Sequence, residues 1–211
     1  AIYRAALNAG VSKPAWGALT GVRPGKVLCR IWDEENNADA AKQRFEKEYD
    51  VSAERAALCM DTAGYTLRTR EELGEKDVCL YIGIPFCPTR CSYCSFVSQS
   101  VEKSMDLIPP YLEALSKEMK AAAMAAERSG LRPVSVYYGG GTPTTLSAAQ
   151  LDALYTEMKK CFDLSAVREF TVEAGRPDTI TPQKLAVMSR HGVTRISVTP
   201  QTMSDHILEV I

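Results

Sequence analysis

Three cysteines, Cys87, Cys91 and Cys94, fall within the short stretch CPTRCSYC. Thiolate is a preferred ligand of iron–sulfur clusters and of zinc, and this Cys-x3-Cys-x2-Cys loop, stiffened by Pro85 and Pro88, can hold three corners of a cubane. A structural zinc site normally closes its tetrahedron with a fourth Cys or His. Cys79 is the nearest candidate for that place, but it sits inside a strand-like run two residues before Tyr81, which makes zinc the weaker reading. A [4Fe–4S] cluster on three protein thiolates leaves one iron open to an external ligand.

Three further stretches carry residues capable of chemistry. GGGTPT (139–144) has successive glycines whose missing Cβ atoms let backbone amides approach a ligand, and Thr142 adds a hydroxyl. EAGRPD (173–178) opens on Glu173, and PQT (200–202) contains Gln201. Taken alone, GGGTPT is equally a tight turn and Glu173 equally a satisfied surface carboxylate.

The elements around these stretches give them a common location. From residue 77 onward, short apolar runs alternate with amphipathic helical text, the pattern of βα units and a parallel sheet. Strands are expected at 77–84, 134–138, 168–173 and 193–199. The helix after the first carries Leu112, Leu115, Met119 and Ala123 on one face and ends at Gly130. The helix after the second starts at Ser147, whose hydroxyl can cap while Gln150 reaches back. The helix after the third is opened by Thr181 with Pro182 at its first helical position. All four unusual stretches then follow the carboxyl ends of parallel strands, the edge where α/β enzymes gather their active sites.

Residues 1–76 have a different texture. GKVLCRIW, AAKQRFEKEYDV and SAERAALCMDTAGYTL are helical in period, separated by the turn-rich TGVRPGK and DEENNAD. The fold class is therefore α/β, with a helical N-terminal region (1–76) before the N-terminal part of a barrel (77–211). Four βα units do not close a barrel, and the text stops within the helix expected after the fourth strand, so the chain reads as a piece of a longer protein, truncated at its start too.

The net charge of −1, without long like-charge runs, gives no electrostatic footprint for nucleic acid or an anionic membrane. The longest apolar run is well short of the ~18 residues of a membrane span. A cytoplasmic protein acting on a small molecule is expected. Seven cysteines, an odd number without an export signal, argue against a disulfide framework. Cys29, Cys59 and Cys161 stand singly in apolar helical text and are expected to be inert packing thiols.

The stretches YIGIPFCPTRCSYC, YYGGGTPT, VEAGRPDTIT and RISVTPQTM, in that order, resemble the radical S-adenosylmethionine (SAM) superfamily and, within it, the oxygen-independent coproporphyrinogen III oxidase family. EAGRPDTIT and PQTM, with LTGVRPGK before the barrel, look most like its HemZ-like branch of coproporphyrinogen dehydrogenases. The resemblance implies that Cys87, Cys91 and Cys94 ligate a [4Fe–4S] cluster and that SAM occupies the open iron. It further implies that Tyr81 and Tyr93 line the SAM site, that Gly140, Gly141 and Thr142 face SAM, that Glu173 binds its polar groups and that Gln201 is another contact. The implied reaction is reductive cleavage of SAM, hydrogen abstraction from a propionate of coproporphyrinogen III and loss of CO2. Two vinyl groups result, giving protoporphyrinogen IX, with electrons from a donor such as flavodoxin or ferredoxin.

Two positions depart from the family pattern. Gly83 stands where many relatives have His, and Ser95-Phe96 follow Cys94 where the best-characterised oxidases have a further cysteine. A close branch of the same family keeps the cluster motif in haem chaperones, so haem binding and delivery is the competing class. A radical SAM enzyme with another substrate is a third reading. His191 and His206 are expected to be surface or capping residues, Pro24 after Arg23 a helix entry, and Trp16 and Trp32 core.

Overall fold

The computed structural model describes residues 2–19, 23–96 and 98–210. Residues 20–22 of the expected turn TGVRPGK lie outside it, as does Ile211, the last residue of the expected barrel segment. The chain divides into two compact units, Ala1–Gly74 and Glu75–Ile211.

The first unit contains α1 (Ile2–Asn8), α2 (Pro24–Glu35), α3 (Ala38–Tyr49) and α4 (Ala53–Glu71). Its helix starts follow local chemistry. Pro24 opens α2 directly after Arg23, Asn37 accepts from the Ala40 amide at α3, and Ser52 accepts from the Arg55 amide at α4. Leu28, Ile31, Phe45, Ala56, Cys59 and Ala63 form the core, with Trp16, Trp32 and Cys29 packed against it.

In the second unit, β1 (Asp77–Ile84), β4 (Arg132–Gly140), β5 (Glu169–Glu173) and β6 (Arg195–Ser197) form one parallel sheet in that order. A separate parallel pair, β2 (Phe86–Cys87) with β3 (Gln99–Ser100), brackets the cysteine loop and leads into the short α5 (Val101–Ser104). The crossovers are α6 (Ile108–Arg128), α7 (Ala148–Cys161) and α8 (Pro182–Arg190), and α9 (Asp205–Leu208) follows β6. Ser147 and Gln150 make the reciprocal capping box, and Thr181 caps α8 through the Lys184 amide.

Period-2 alternation gives the sheet two unlike faces. Ile82, Ile84, Val136, Tyr138, Phe170 and Val172 are buried under Leu115 and Met119 of α6, Leu151, Tyr155 and Met158 of α7, and Val187 and Met188 of α8. Tyr138 meets Tyr155 edge-on with ring centroids 5.0 Å apart, and its hydroxyl donates to Met158 Sδ at 3.3 Å. The opposite face carries a row that register alone aligns: Tyr81, Tyr137, Thr171 and Arg195.

The sheet differs from expectation at its margins. β4 covers Arg132–Gly140 rather than 134–138, because β1 pairs with it as far as Gly83↔Gly139 and Ile84↔Gly140. Two of the loop glycines are therefore strand residues. β6 covers only Arg195–Ser197 rather than 193–199; among the described residues it pairs with β5 alone, through Thr171–Glu173. β5 begins at Glu169, one residue later than expected.

Candidate active site

The cysteine loop is fixed at both ends before any ligand enters. Pro85 O accepts from Gln99 N at 2.7 Å, closing the bracket made by β2 and β3. Phe86 is buried edge-on against Tyr111, at 5.3 Å between centroids, and the Tyr111 hydroxyl donates to Gly83 O at 2.5 Å. Within the loop the Cys94 amide donates to Cys91 O at 3.1 Å, the turn that sets the second cysteine against the third.

The glycine strand end locks onto this loop. Gly141 N donates to Ile84 O and Thr142 N to Phe86 O, each at 2.8 Å, and the Thr142 hydroxyl points at Cys87 Sγ at 3.5 Å. A Cβ on Gly141 would stand 2.7 Å from Phe86 O and 2.9 Å from Cys87 Sγ. Gly140 has φ +114°, and its amide donates to Glu173 Oε2 at 3.2 Å. Glycine at 140 and 141 is thus required by the packing of the protein on itself.

Glu173, at the end of β5, also accepts from the Tyr137 hydroxyl at 2.5 Å. Burial, helped by that hydrogen bond and the carboxylate charge, pushes the Tyr137 phenol up to about 12. Tyr81 stacks on Tyr137 at 5.7 Å, and its hydroxyl lies 2.8 Å from the place a Gly139 Cβ would take. Partial burial and Glu173 raise its phenol as well.

These pieces surround a cavity of about 310 Å³ at the carboxyl ends of the strands. Cys87, Cys91, Cys94, Tyr93, Gly140, Gly141, Thr142, Glu173 and Gln201 all line it. Tyr81 is the exception among the expected residues. It stands beside the cavity on the exposed sheet face, 63% exposed and joined to the site through Tyr137 and Glu173. Gln201 adopts φ +65°, accepts from the Tyr93 hydroxyl and donates to Gly175 O at 3.4 Å. Among the described residues, no three His, Cys, Asp or Glu side chains close on a common point as they stand. The three thiols face one space without being collapsed together.

Several expected bystanders take ordinary places. His191 caps α8 and pairs through Nε2 with Asp152 Oδ1 at 2.8 Å, His206 is exposed on α9, and Cys79 is exposed on β1. Sequence reasoning passed over Arg176, which lines the cavity, and Lys184, which donates to Thr144 O at 2.5 Å and Thr179 O at 2.9 Å. Lys184 joins the loop after β4 to the loop after β5, and partial burial lowers its ammonium from its ordinary value.

Comparison with known proteins decides the family. The radical SAM superfamily profile matches residues 81–211. The chain belongs to the radical SAM superfamily. Over 199 residues, 93% of this chain, it is 37% identical to the oxygen-independent coproporphyrinogen-III oxidase-like protein HemZ of Bacillus subtilis. The heme chaperone HemW of Bacillus subtilis is 38% identical over 135 residues, 62% of this chain. In structure the chain is similar to Escherichia coli coproporphyrinogen III oxidase (HemN), a radical SAM enzyme, with TM-score 0.57 and 25% identity over 70% of this chain. The chain spans 40% of the length of HemZ, 34% of HemW and 33% of the HemN chain. The fold is accordingly part of a radical SAM (β/α) barrel, and none of the described helices is long and apolar enough to cross a membrane.

The cofactors of a radical SAM protein are a [4Fe–4S] cluster and SAM, and the donor set suits both. Three soft thiols in one loop match a cluster with an open iron. The polar rim of Thr142, Glu173 and Gln201, on the same cavity, matches an amino-acid and ribose moiety.

Proposed function

We propose that this chain carries the cluster and SAM site of an enzyme that oxidatively decarboxylates the propionates of coproporphyrinogen III to vinyls. The carrying observation is the extent of similarity: HemZ matches 93% of this chain, whereas the HemW chaperone matches 62%. Cys87, Cys91 and Cys94 hold the cluster. Glu173, already oriented by Tyr137 and the Gly140 amide, keeps lone pairs for the polar groups of SAM. Gly140, Gly141 and Thr142 face SAM, with Gln201 and Tyr93 completing the rim and Tyr81 standing beside it.

When bound, the reduced cluster and SAM supply one-electron hydrogen-abstraction chemistry. The protein's part is to orient, to exclude water and to keep Glu173 anchored between the Tyr137 hydroxyl and the Gly140 amide. The electron comes from a low-potential donor of the flavodoxin or ferredoxin kind. The competing reading is haem binding and delivery, favoured by 38% identity to HemW over 135 residues.

The test is anaerobic reconstitution with iron and sulfide, followed by electron paramagnetic resonance of the reduced protein with and without SAM and a Cys91→Ala control. Incubation with coproporphyrinogen III follows. A [4Fe–4S] signal that changes with SAM, and formation of protoporphyrinogen with SAM consumption, is expected. Stoichiometric haem binding without porphyrin turnover would instead establish the chaperone reading.

A further inference from the structure

Arg176 has no part in the assignments above, yet its guanidinium lies against the cysteine loop. Nη1 donates to Thr89 Oγ1 at 3.0 Å and stands 3.8 Å from Cys91 Sγ, within reach of an N–H···S hydrogen bond. Nε lies 3.4 Å from Asp178 Oδ1. An arginine needing only a counter-ion could satisfy itself with that exposed carboxylate two residues on. This one instead divides its fork between Asp178 and a loop 87 residues away.

The backbone beneath it is pinned. Arg176 O accepts from Thr179 N at 3.0 Å and from Thr179 Oγ1 at 2.6 Å, and that hydroxyl also meets Thr144 Oγ1 at 2.5 Å. Lys184 Nζ ties the same two loops through their carbonyls. The guanidinium therefore projects from a fixed base, its side chain only 26% exposed.

We propose that Arg176 sets the reduction potential of the cluster held by Cys87, Cys91 and Cys94, by keeping a permanent positive charge and an N–H donor at the Cys91 sulfur. This rests on the cluster assignment in the proposed function. In the reaction concerned, the oxidised cluster takes one electron from a low-potential one-electron donor. No bond forms or breaks and no proton is taken up. The reduced cluster carries one more negative charge on the same sulfurs and irons. A nearby cation and a hydrogen bond to sulfur stabilise it more than the oxidised form, and the potential rises. Lysine is no substitute, because a single ammonium cannot reproduce the planar fork that reaches Thr89 and Cys91 together.

The experiment is a redox titration of the anaerobically reconstituted protein without SAM, monitored by electron paramagnetic resonance. Wild type, Arg176→Gln and Thr89→Val are compared at equal iron and sulfide content. In Arg176→Gln the reduced-to-oxidised ratio at a fixed potential is expected to fall about tenfold, equivalent to ~59 mV for a one-electron couple. Thr89→Val keeps the charge but frees the fork, and a smaller fall in the same direction is expected. Equal midpoints in all three proteins overturn the proposal. So does an unchanged midpoint with weakened SAM binding in Arg176→Gln, which would make Arg176 a SAM ligand. If Arg176→Gln fails to assemble a cluster, Thr89→Val decides: an unchanged midpoint there shows a merely structural role. A wild-type protein that forms no cluster removes the cluster assignment itself, a result distinct from all of these.

Discussion

Replacing Gly141 by alanine tests the claim that the glycine strand end positions the cysteine loop. The added Cβ would lie 2.7 Å from Phe86 O, 3.0 Å from Phe86 C and 2.9 Å from Cys87 Sγ. Non-bonded contacts relax to ~3.5 Å, so the two segments must part by about 0.8 Å. The tightest of these contacts is with backbone, so turning the Cys87 side chain does not relieve it. Opening of that size strains the Gly141 N to Ile84 O and Thr142 N to Phe86 O bonds, both 2.8 Å. Overpacking costs ~1–3 kcal/mol, and the reduced freedom of the unfolded chain offsets about 0.4–1 kcal/mol of it. The net expectation is local destabilisation of ~1–2 kcal/mol, which raises hydrogen exchange about 5- to 30-fold.

Both tryptophans, Trp16 and Trp32, belong to the helical unit, so fluorescence does not report on the site. Hydrogen-exchange mass spectrometry of peptides covering β1, β4 and the cysteine loop does, and iron content after reconstitution is expected to fall with it. Gly175→Ala is the control, since nothing lies within 4 Å of its Cβ position. Wild-type exchange and full iron content in Gly141→Ala would refute the reasoning.

Other consequences follow from the same geometry. Tyr137 is raised from 10.0 to about 12 in the folded protein, so the unfolded chain loses its proton first and stability declines as pH rises from 10 to 12. Thermal melts across that window are expected to show a shallower decline in Tyr137→Phe, with the buried Tyr138 and Tyr155 keeping part of it. Glu173→Gln is expected to weaken SAM binding roughly 10- to 150-fold, the equivalent of one charged hydrogen bond, with cluster content unchanged. Isothermal titration calorimetry on the reconstituted protein reads it. Ser147→Ala removes the capping box of α7 and is expected to cost ~1 kcal/mol, read as faster exchange at the start of that helix.

What the sequence determined by itself is whatever depends on neighbours along the chain. Helix starts at Ser147 and Thr181, the alternation that turns Ile82 and Val136 inward, and three thiols within one loop are all encoded within a few residues. The convergence of four loops on one edge followed because parallel strands joined by helices all point the same way. Strand extents, the β2–β3 bracket, the Tyr137–Glu173 bond and the approach of Arg176 to Cys91 were not legible. Glu173 ends β5 whereas Cys91 lies in the loop between β2 and β3, and which atoms touch depends on register and on how the covering helices seat the sheet. A shift of one residue would send Tyr137 into the core and Tyr138 to the cavity side, so only the packed tertiary structure decides which side chains reach the site.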